Sequence, residues 1–137
     1  MASPEFSWPV RVYYEDTDCA GIVYHASFLR FMERARTEWL RSLGFDLPAL
    51  RIEHDVLFTV SRLRIDYLQP AHFNDMLDLS LELTRSGGAS FLLDQRVWRA
   101  PRELICRAEV RIACVDATTL RPRPIPQVIC TELKRDC

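Results

Sequence analysis

The sequence lacks several features that mark common classes of protein. None of its apolar runs approaches the about 18 residues that a transmembrane helix needs. Its first ten residues, MASPEFSWPV, contain neither the basic segment nor the apolar segment of a signal peptide. The formal net charge is only −1 and the arginines are scattered, which argues against a dedicated nucleic-acid-binding protein. These absences favour a soluble, cytoplasmic protein.

Metal-binding and disulfide patterns are also missing. The chain has five cysteines, an odd number, and no CxxC pair. Without a secretion signal, reduced thiols in a cytoplasm are the simplest interpretation, and a disulfide or a zinc site is the weaker alternative. There are no internal repeats, no low-complexity segments and no GxGxxG or P-loop motif. We therefore expect a single domain over residues 1–137.

Polar residues collect immediately before a strongly amphipathic stretch. Within residues 13–40, this polar group comprises Glu15, Asp16, Asp18, Gly21 and His25. The apolar residues that follow recur with a 3.6-residue period, which predicts a helix with one deeply packed face. They are Phe28, Phe31, Met32, Ala35, Trp39 and Leu43. Polar groups beside a helix N-terminus face its unpaired N–H groups, so an oxyanion is stabilised there.

The ends of the helix and the flanking segments are also predicted. Ser27 is the expected N-cap and Gly44 the expected C′ residue. A first strand is expected over residues 8–15. A loop is expected over 46–54, in which Pro48 indicates that the helix has ended. The tail from Arg121 contains three prolines and is expected to be extended and non-helical.

Four strand-like runs follow the helix. Alternation of apolar residues reverses near Ser61–Arg62, which predicts a β-bulge, and Ser86–Gly87–Gly88 is typical of a hairpin turn. The element order is thus β-α-β-β-β-β. It predicts an α+β fold in which a curved antiparallel sheet of about five strands wraps one long central helix. An exposed sheet edge favours a dimer with a continuous sheet.

One stretch of the sequence resembles a known family. The run Y-x-E-D-T-D-x-x-G-x-V-x-H over residues 13–25, followed by F-x-x-x-x-E-x-A-R-x-E over residues 28–38, resembles the acyl-CoA thioesterases of the 4-hydroxybenzoyl-CoA thioesterase type. Weaker similarity reaches Ile65, Tyr67, Pro70 and Asp75, and the whole resemblance covers roughly residues 10–126. In having a histidine at position 25 rather than an aromatic residue, the sequence resembles the YbgC-type subgroup. That subgroup is encoded beside the Tol–Pal cell-envelope genes.

The resemblance implies a hot-dog fold and an acyl-CoA thioesterase. It also implies a homodimer, often paired into a homotetramer, with active sites at the subunit interface. Asp18 is implied as the catalytic carboxylate, with Tyr14 and His25 beside it. A link between this protein and Tol–Pal is implied by the subgroup resemblance alone.

The residues can supply the chemistry that thioester hydrolysis needs. Asp18 can activate a water or attack the carbonyl carbon directly, and backbone N–H groups near Val23–His25 can stabilise the oxyanion. His25 can donate to that oxygen, orient water or protonate the leaving thiolate, and Tyr14 can orient Asp18. We expect Gly21, Val23 and Tyr24 to contact the substrate. No step needs a metal or a redox cofactor, and coenzyme A enters only as part of the substrate.

Coenzyme A carries phosphates, so basic side chains are expected at the mouth of the pocket. The candidates are Arg62, Arg85, Arg121 and Arg123. A solvated surface arginine is the alternative at each position. The acyl group can also arrive on an acyl carrier protein, and the sequence does not distinguish the two carriers.

Structural interpretations compete with each assignment. In these interpretations, Asp18 is an ordinary turn residue, His25 is a structural histidine and Tyr14 is a core residue of a strand. Two other functions also compete with hydrolysis. One is a hot-dog dehydratase or hydratase, against which the absence of a His-Phe-Pro-Gly run counts. The other is a non-catalytic acyl-carrier or envelope-complex adaptor, against which the intact Asp18 and His25 count.

Overall fold

The computed structural model describes residues 6–134, and every element named below lies in that range. Five strands form one antiparallel sheet in the order β1-β3-β4-β5-β2, so β1 and β2 are its edges. The strands are β1 (Phe6–Arg11), β2 (Val56–Tyr67), β3 (Met76–Gly87), β4 (Ser90–Arg99) and β5 (Glu103–Asp116). The helices are α1 (Ser27–Ser42), α2 (Leu47–His54) and α3 (Gln127–Leu133), and a 3₁₀ turn covers Tyr14–Asp16.

Helix α1 packs its apolar stripe against the sheet, as its 3.6-residue period predicts. Phe28, Phe31, Met32, Ala35 and Trp39 are all buried. The opposing sheet face contributes the alternating leucines of β3, which are Leu77, Leu79, Leu81 and Leu83. The α+β architecture, with one long helix against an antiparallel sheet of five strands, is therefore confirmed.

The predicted irregularity in β2 is also confirmed. The pairing register between β2 and β5 shifts between Val60 and Arg62. This bulge lets Phe58 before it and Leu63 and Ile65 after it face the same core despite their opposite parity.

Residues 46–54 form a helix rather than the expected loop. Pro48 was interpreted as a sign that helical structure had ended, but it lies in the first turn of α2. A helix leaves its first N–H groups unpaired, so a residue without an N–H is tolerated there. Helix α2 buries Leu50 and ends at Asp55 in a left-handed conformation.

The expectation of a non-helical tail from Arg121 is wrong for its last part. The segment before Pro126 is not helical, but α3 begins immediately after this last proline. Nothing beyond Pro126 blocks a helix, and Ile129, Cys130 and Leu133 supply a buried face.

The end of β1 and the start of α1 also differ from the predictions. Strand β1 ends at Arg11, because the chain then enters the 3₁₀ turn. The N-cap of α1 is Ala26, and Ser27 is the first helical residue, whose hydroxyl accepts a hydrogen bond from Arg30. Gly44 has a φ of +93°, which agrees with its predicted C′ position.

The cysteines are not all reduced. Cys19, Cys106 and Cys114 are free thiols, but Cys130 is disulfide-bonded, so the expectation of reduced thiols is wrong there. Burial raises the pKa of Cys106 to about 12 and that of Cys114 to about 11, as expected for core thiols. Within residues 6–134, no helix combines the length and apolarity needed to cross a membrane.

Candidate active site

The segment before α1 is a compact polar hairpin built by backbone hydrogen bonds. The buried carboxylate of Asp16 accepts a hydrogen bond from the Tyr13 N–H at 2.8 Å, and its carbonyl accepts one from the Tyr24 N–H at 2.9 Å. The Asp18 N–H donates to the Ile22 carbonyl at 2.9 Å. Gly21 has a φ of +80°, a conformation that side chains rarely adopt, which explains a glycine at this turn.

A second turn, residues 70–75, fixes this hairpin to the sheet. The Val23 N–H donates to the Ala71 carbonyl at 2.8 Å. The turn is held in place by Arg99, which donates to Asp75 at 2.7 Å and to the Pro70 carbonyl at 3.2 Å. Partial burial works against the charged form of Asp75, but the His72 amide and the Arg99 guanidinium outweigh it and lower the pKa of Asp75.

Asp18 and His25 lie together in an open cleft at the N-terminus of α1. The cleft has a volume of about 400 Å³. It is lined by Asp18, Ile22, Val23, His25, Phe28, Tyr67, Leu68, Gln69 and Pro70. One oxygen of Asp18, Oδ1, accepts the Ala20 N–H at 2.8 Å. This is a turn contact, as the structural interpretation of Asp18 expects, and it leaves Oδ2 without a hydrogen bond to the described part of the chain.

Aromatic rings surround the imidazole of His25. The ring of Tyr24 lies 4.5 Å from it, between centroids, and the ring of Tyr67 lies 6.2 Å away and perpendicular to it. The hydroxyl of Tyr67 also donates to the His25 carbonyl at 2.9 Å. Tyr24 and Tyr67 thus flank His25, and the predicted contact of Tyr24 with a substrate stays a prediction.

Backbone donors for an oxyanion are fewer than the sequence suggested. The N–H groups of Gly21, Val23 and Tyr24 already donate to protein carbonyls. For His25 and Ala26, we find no acceptor among residues 6–134. The unpaired N–H groups at the start of α1 are therefore those that can face a substrate oxygen.

Tyr14 does not line the cleft in this structure. Its ring is 80% exposed and lies edge-on against Phe73, with the ring centroids 6.0 Å apart. The structural alternative of a core tyrosine is therefore wrong, and the predicted role of Tyr14 beside Asp18 stays a prediction.

The candidate arginines are not near Asp18 within one chain. Arg62 lines a separate cleft with Arg85 and Arg111. Arg123 donates to the Asp55 carbonyl at 2.9 Å, next to the first residue of β2, and Arg121 is exposed nearby. Tyr67 is the last residue of β2, so about 36 Å of strand separates it from that end.

The sequence analysis missed an aromatic cavity at the other half of α1. Its volume is about 390 Å³, and Trp39, Phe58 and Phe91 form its walls together with Leu40 and Leu47. The ring of Phe91 contacts those of Trp39 and Phe58 at centroid distances of 6.0 and 5.5 Å. No sequence signal marks it, because these residues come from distant elements. Tyr67 was noted only as part of the resemblance, without a role.

The fold is that of the hot-dog thioesterases. The crystal structure of Slr0204, a 1,4-dihydroxy-2-naphthoyl-CoA thioesterase from Synechocystis, superposes with a TM-score of 0.88 at 29% identity and covers 96% of both chains. That of a probable thioesterase from Bartonella henselae superposes with a TM-score of 0.85 at 32% identity, over 90% of this chain and 100% of the other. The predicted hot-dog fold is confirmed.

Sequence comparison specifies the family. The model of the thioesterase-like superfamily matches residues 12–133. The acyl-CoA thioester hydrolase YbgC of Escherichia coli is 46% identical over 135 residues, which are 98% of this chain and 100% of the relative. The acyl-CoA thioesterase YbgC of Haemophilus influenzae is 44% identical over 94% of both chains. The chain therefore belongs to the thioesterase-like superfamily, and the predicted YbgC-type resemblance and thioesterase class are confirmed.

Proposed function

We propose that this protein hydrolyses acyl-CoA thioesters to a free acid and coenzyme A. The observation that carries the proposal is the cleft in which Asp18 and His25 lie together at the N-terminus of α1. The two YbgC relatives, which are named for acyl-CoA thioester hydrolysis, support the substrate class.

Asp18 is the reactive carboxylate in this proposal. It either removes a proton from the attacking water or attacks the carbonyl carbon itself to form an anhydride that water then cleaves. Both routes generate an oxyanion, break the C–S bond and release the coenzyme A thiolate. The N–H of His25 and those at the start of α1 stabilise the oxyanion, and the His25 imidazole hydrogen-bonds to it or protonates the thiolate. Gly21, Val23 and Tyr24 shape the wall around the reacting group.

Tyr14 has a conditional part in this scheme. Its proposed role is to orient Asp18 through the phenol hydroxyl. Because its ring packs on Phe73, this role requires the exposed ring to turn towards the carboxylate.

A homodimer completes the site. Edge strand β2 is twelve residues long, and its middle, residues 59–62, is exposed. Antiparallel pairing of two copies about this middle would extend the sheet and cover the free edge. In one chain, Phe58 and Tyr67 are nine positions, or about 30 Å, apart. In such a dimer, with the two-fold axis at the centre of residues 59–62, Phe58 lies about 13 Å along the strand from the level of the Tyr67 of the second copy.

The dimer brings the separated parts of the site together. The aromatic cavity of one protomer then lies beside the cleft of its partner and receives the acyl group. Arg121 and Arg123, near the start of β2, lie at the mouth of the partner's cleft, where the phosphates of coenzyme A can bind. Arg62 is near the two-fold axis and offers a further phosphate contact. Assembly of two dimers into a tetramer is compatible with this arrangement.

The release of free thiol from a panel of acyl-CoAs tests the proposal, with short, long and aromatic acyl groups. We expect turnover by the wild type and a loss of about a hundredfold to ten-thousandfold in Asp18→Asn. The matched control is Asp78→Asn, an exposed carboxylate on β3, which should leave turnover unchanged. Turnover retained by Asp18→Asn would reject the assignment.

Carrier, location and pathway are separate predictions. Repeating the panel with acyl groups on an acyl carrier protein measures which carrier is preferred. Stable binding of acyl carriers without turnover of any thioester would favour the adaptor alternative. The cytoplasmic location and the association with Tol–Pal stay predictions.

A further inference from the structure

Tyr67 makes a long-range hydrogen bond to the candidate catalytic histidine. It is the last residue of β2, and its hydroxyl donates to the backbone carbonyl of His25 at 2.9 Å. The two residues are 42 positions apart, and both line the cleft that contains Asp18. The bond thus connects the end of an edge strand to a residue two positions before the start of helix α1.

No other backbone hydrogen bond involves His25 within residues 6–134. Its neighbours are fixed otherwise, because the Tyr24 N–H donates to Asp16 and the Ser27 N–H donates to the Tyr24 carbonyl. The Leu29 N–H donates to Ala26, so the helix does not use the His25 carbonyl. The orientation of the His25 backbone therefore depends on Tyr67.

The ring of Tyr67 is itself held in place. It is perpendicular to the His25 ring and packs at 5.9 Å, between centroids, on Phe28, which is 3% exposed. Burial, with a smaller contribution from Cys106, raises the pKa of Tyr67. The hydroxyl consequently stays protonated at neutral pH and remains a hydrogen-bond donor.

We propose that Tyr67 is a positioning residue, which fixes His25 for catalysis through the hydrogen bond to its backbone carbonyl. This inference rests on the proposed thioesterase site. The His25 carbonyl and the Ala26 N–H belong to one planar peptide unit, so fixing the carbonyl also fixes that N–H. Accepting a hydrogen bond polarises this peptide unit and strengthens its N–H as a donor. Tyr67 thereby orients both the imidazole and the start of α1.

The decisive variant is Tyr67→Phe, which keeps the ring and removes the hydroxyl. We expect kcat to fall about threefold to tenfold while KM changes less than about twofold. The matched control is Thr84→Val, which removes another hydroxyl-to-carbonyl hydrogen bond, to Leu92 at 3.2 Å, remote from the cleft. This control should retain the wild-type kcat.

A nuclear magnetic resonance measurement reads the hydrogen bond without reference to activity. The backbone ¹⁵N of Ala26 is bonded to the His25 carbonyl carbon, so its resonance should shift in Tyr67→Phe and not in Thr84→Val. An unshifted Ala26 resonance would overturn the inference, and so would a wild-type kcat in Tyr67→Phe. If the wild type hydrolyses no thioester, the proposed function fails, and the Ala26 resonance still decides whether Tyr67 positions His25.

Discussion

The cleft at the N-terminus of α1 and the cavity at its other half are lined by different residues. At the first, the polar end, Asp18 and His25 line an open cleft whose other walls are mostly apolar, and backbone hydrogen bonds and the 70–75 turn hold it. At the other half of α1, Trp39, Phe58 and Phe91 enclose a cavity of nearly the same volume with packed aromatic rings.

The two ends suit different parts of the proposed substrate, the reacting thioester and the acyl group. The polar end offers a carboxylate, an imidazole and unpaired N–H groups, which suit the polar thioester in the proposed reaction. The other end offers aromatic and aliphatic walls, which suit an acyl group, beside the charged side chains of Glu33 and Arg36. In one chain, Phe58 and Tyr67 are about 30 Å apart along β2, and in the proposed dimer the cavity of one protomer lies beside the cleft of its partner.

Preventing dimerisation should have the largest effect on activity. In Val60→Asp, a carboxylate is placed at the exposed middle of β2, where pairing of two copies would bury it unpaired. We expect a monomer in sedimentation velocity and a loss of turnover of about a hundredfold, because the cleft and the partner's cavity no longer meet.

The control for this variant is Thr84→Asp, which introduces the same charge on an exposed residue of β3, a strand paired on both sides. It should remain dimeric and active. A Val60→Asp monomer with wild-type turnover would show that one chain contains a complete site. It would contradict the proposal that the cavity of one protomer serves the cleft of its partner.

Stability should depend on the aromatic end far more than on the surface beside the polar end. Phe91 is 2% exposed and contacts both Trp39 and Phe58, so we expect Phe91→Ala to lower the free energy of unfolding by about 3–5 kcal/mol. Phe73 is 51% exposed, and Phe73→Ala should cost less than about 1 kcal/mol. Urea denaturation of both variants measures the difference, and equal losses would contradict it.

Local patterns predicted much of this fold. The period of Phe28, Phe31 and Met32 identified α1, and the reversed parity near Ser61–Arg62 identified the bulge that the register of β2 and β5 contains. These features depend on residues that are close in sequence. Helices α2 and α3 were missed because Pro48 and Pro126 were interpreted as signs of non-helical chain, although proline is compatible with the start of a helix.

The site was less predictable from sequence than the fold. Asp18 and His25 are seven positions apart and were found because one continuous motif contains them. Tyr67 reaches His25 only because β2 ends beside the cleft, and the arginines are distributed by the sheet rather than by sequence spacing. Contacts between distant elements carry no signal in a single sequence.

The contribution of the 70–75 turn to the free energy of unfolding should depend on pH, because Arg99 binds the carboxylate of Asp75. Partial burial opposes ionisation of Asp75, but the His72 amide and Arg99 lower its pKa in the folded state. The ionised carboxylate therefore stabilises the fold above its unfolded pKa of about 3.9, and this contribution is lost as the pH falls through the lower folded value. Arg99→Gln should reduce the free energy of unfolding by about 1–2 kcal/mol at neutral pH.

Chemical denaturation across pH checks this prediction. The difference between wild type and Arg99→Gln should begin to shrink near pH 4 and disappear only below the lowered pKa that Asp75 has in the folded wild type. Arg102→Gln is the control, since Arg102 is an exposed arginine in the adjacent turn. Arg99 also donates to the carboxylate of Glu103, so a difference that is constant with pH would mean that Arg99 acts through the Pro70 carbonyl or packing rather than through either carboxylate.

The smallest change should separate acyl preference from chemistry. Leu47, the first residue of α2, lines the aromatic cavity but is 38% exposed, so Leu47→Ala widens the cavity at little cost in stability. We expect kcat/KM for bulky acyl groups to rise severalfold relative to short ones, since a methylene contact is worth about 1–3 kcal/mol in an apolar pocket. Ile52→Ala on the same helix, at a residue that is 83% exposed and outside the cavity, should leave the ratio unchanged. If both variants keep the wild-type ratio, the acyl group does not reach this cavity. The acyl group would then bind elsewhere, along the inner face of β2 and nearer to Tyr67.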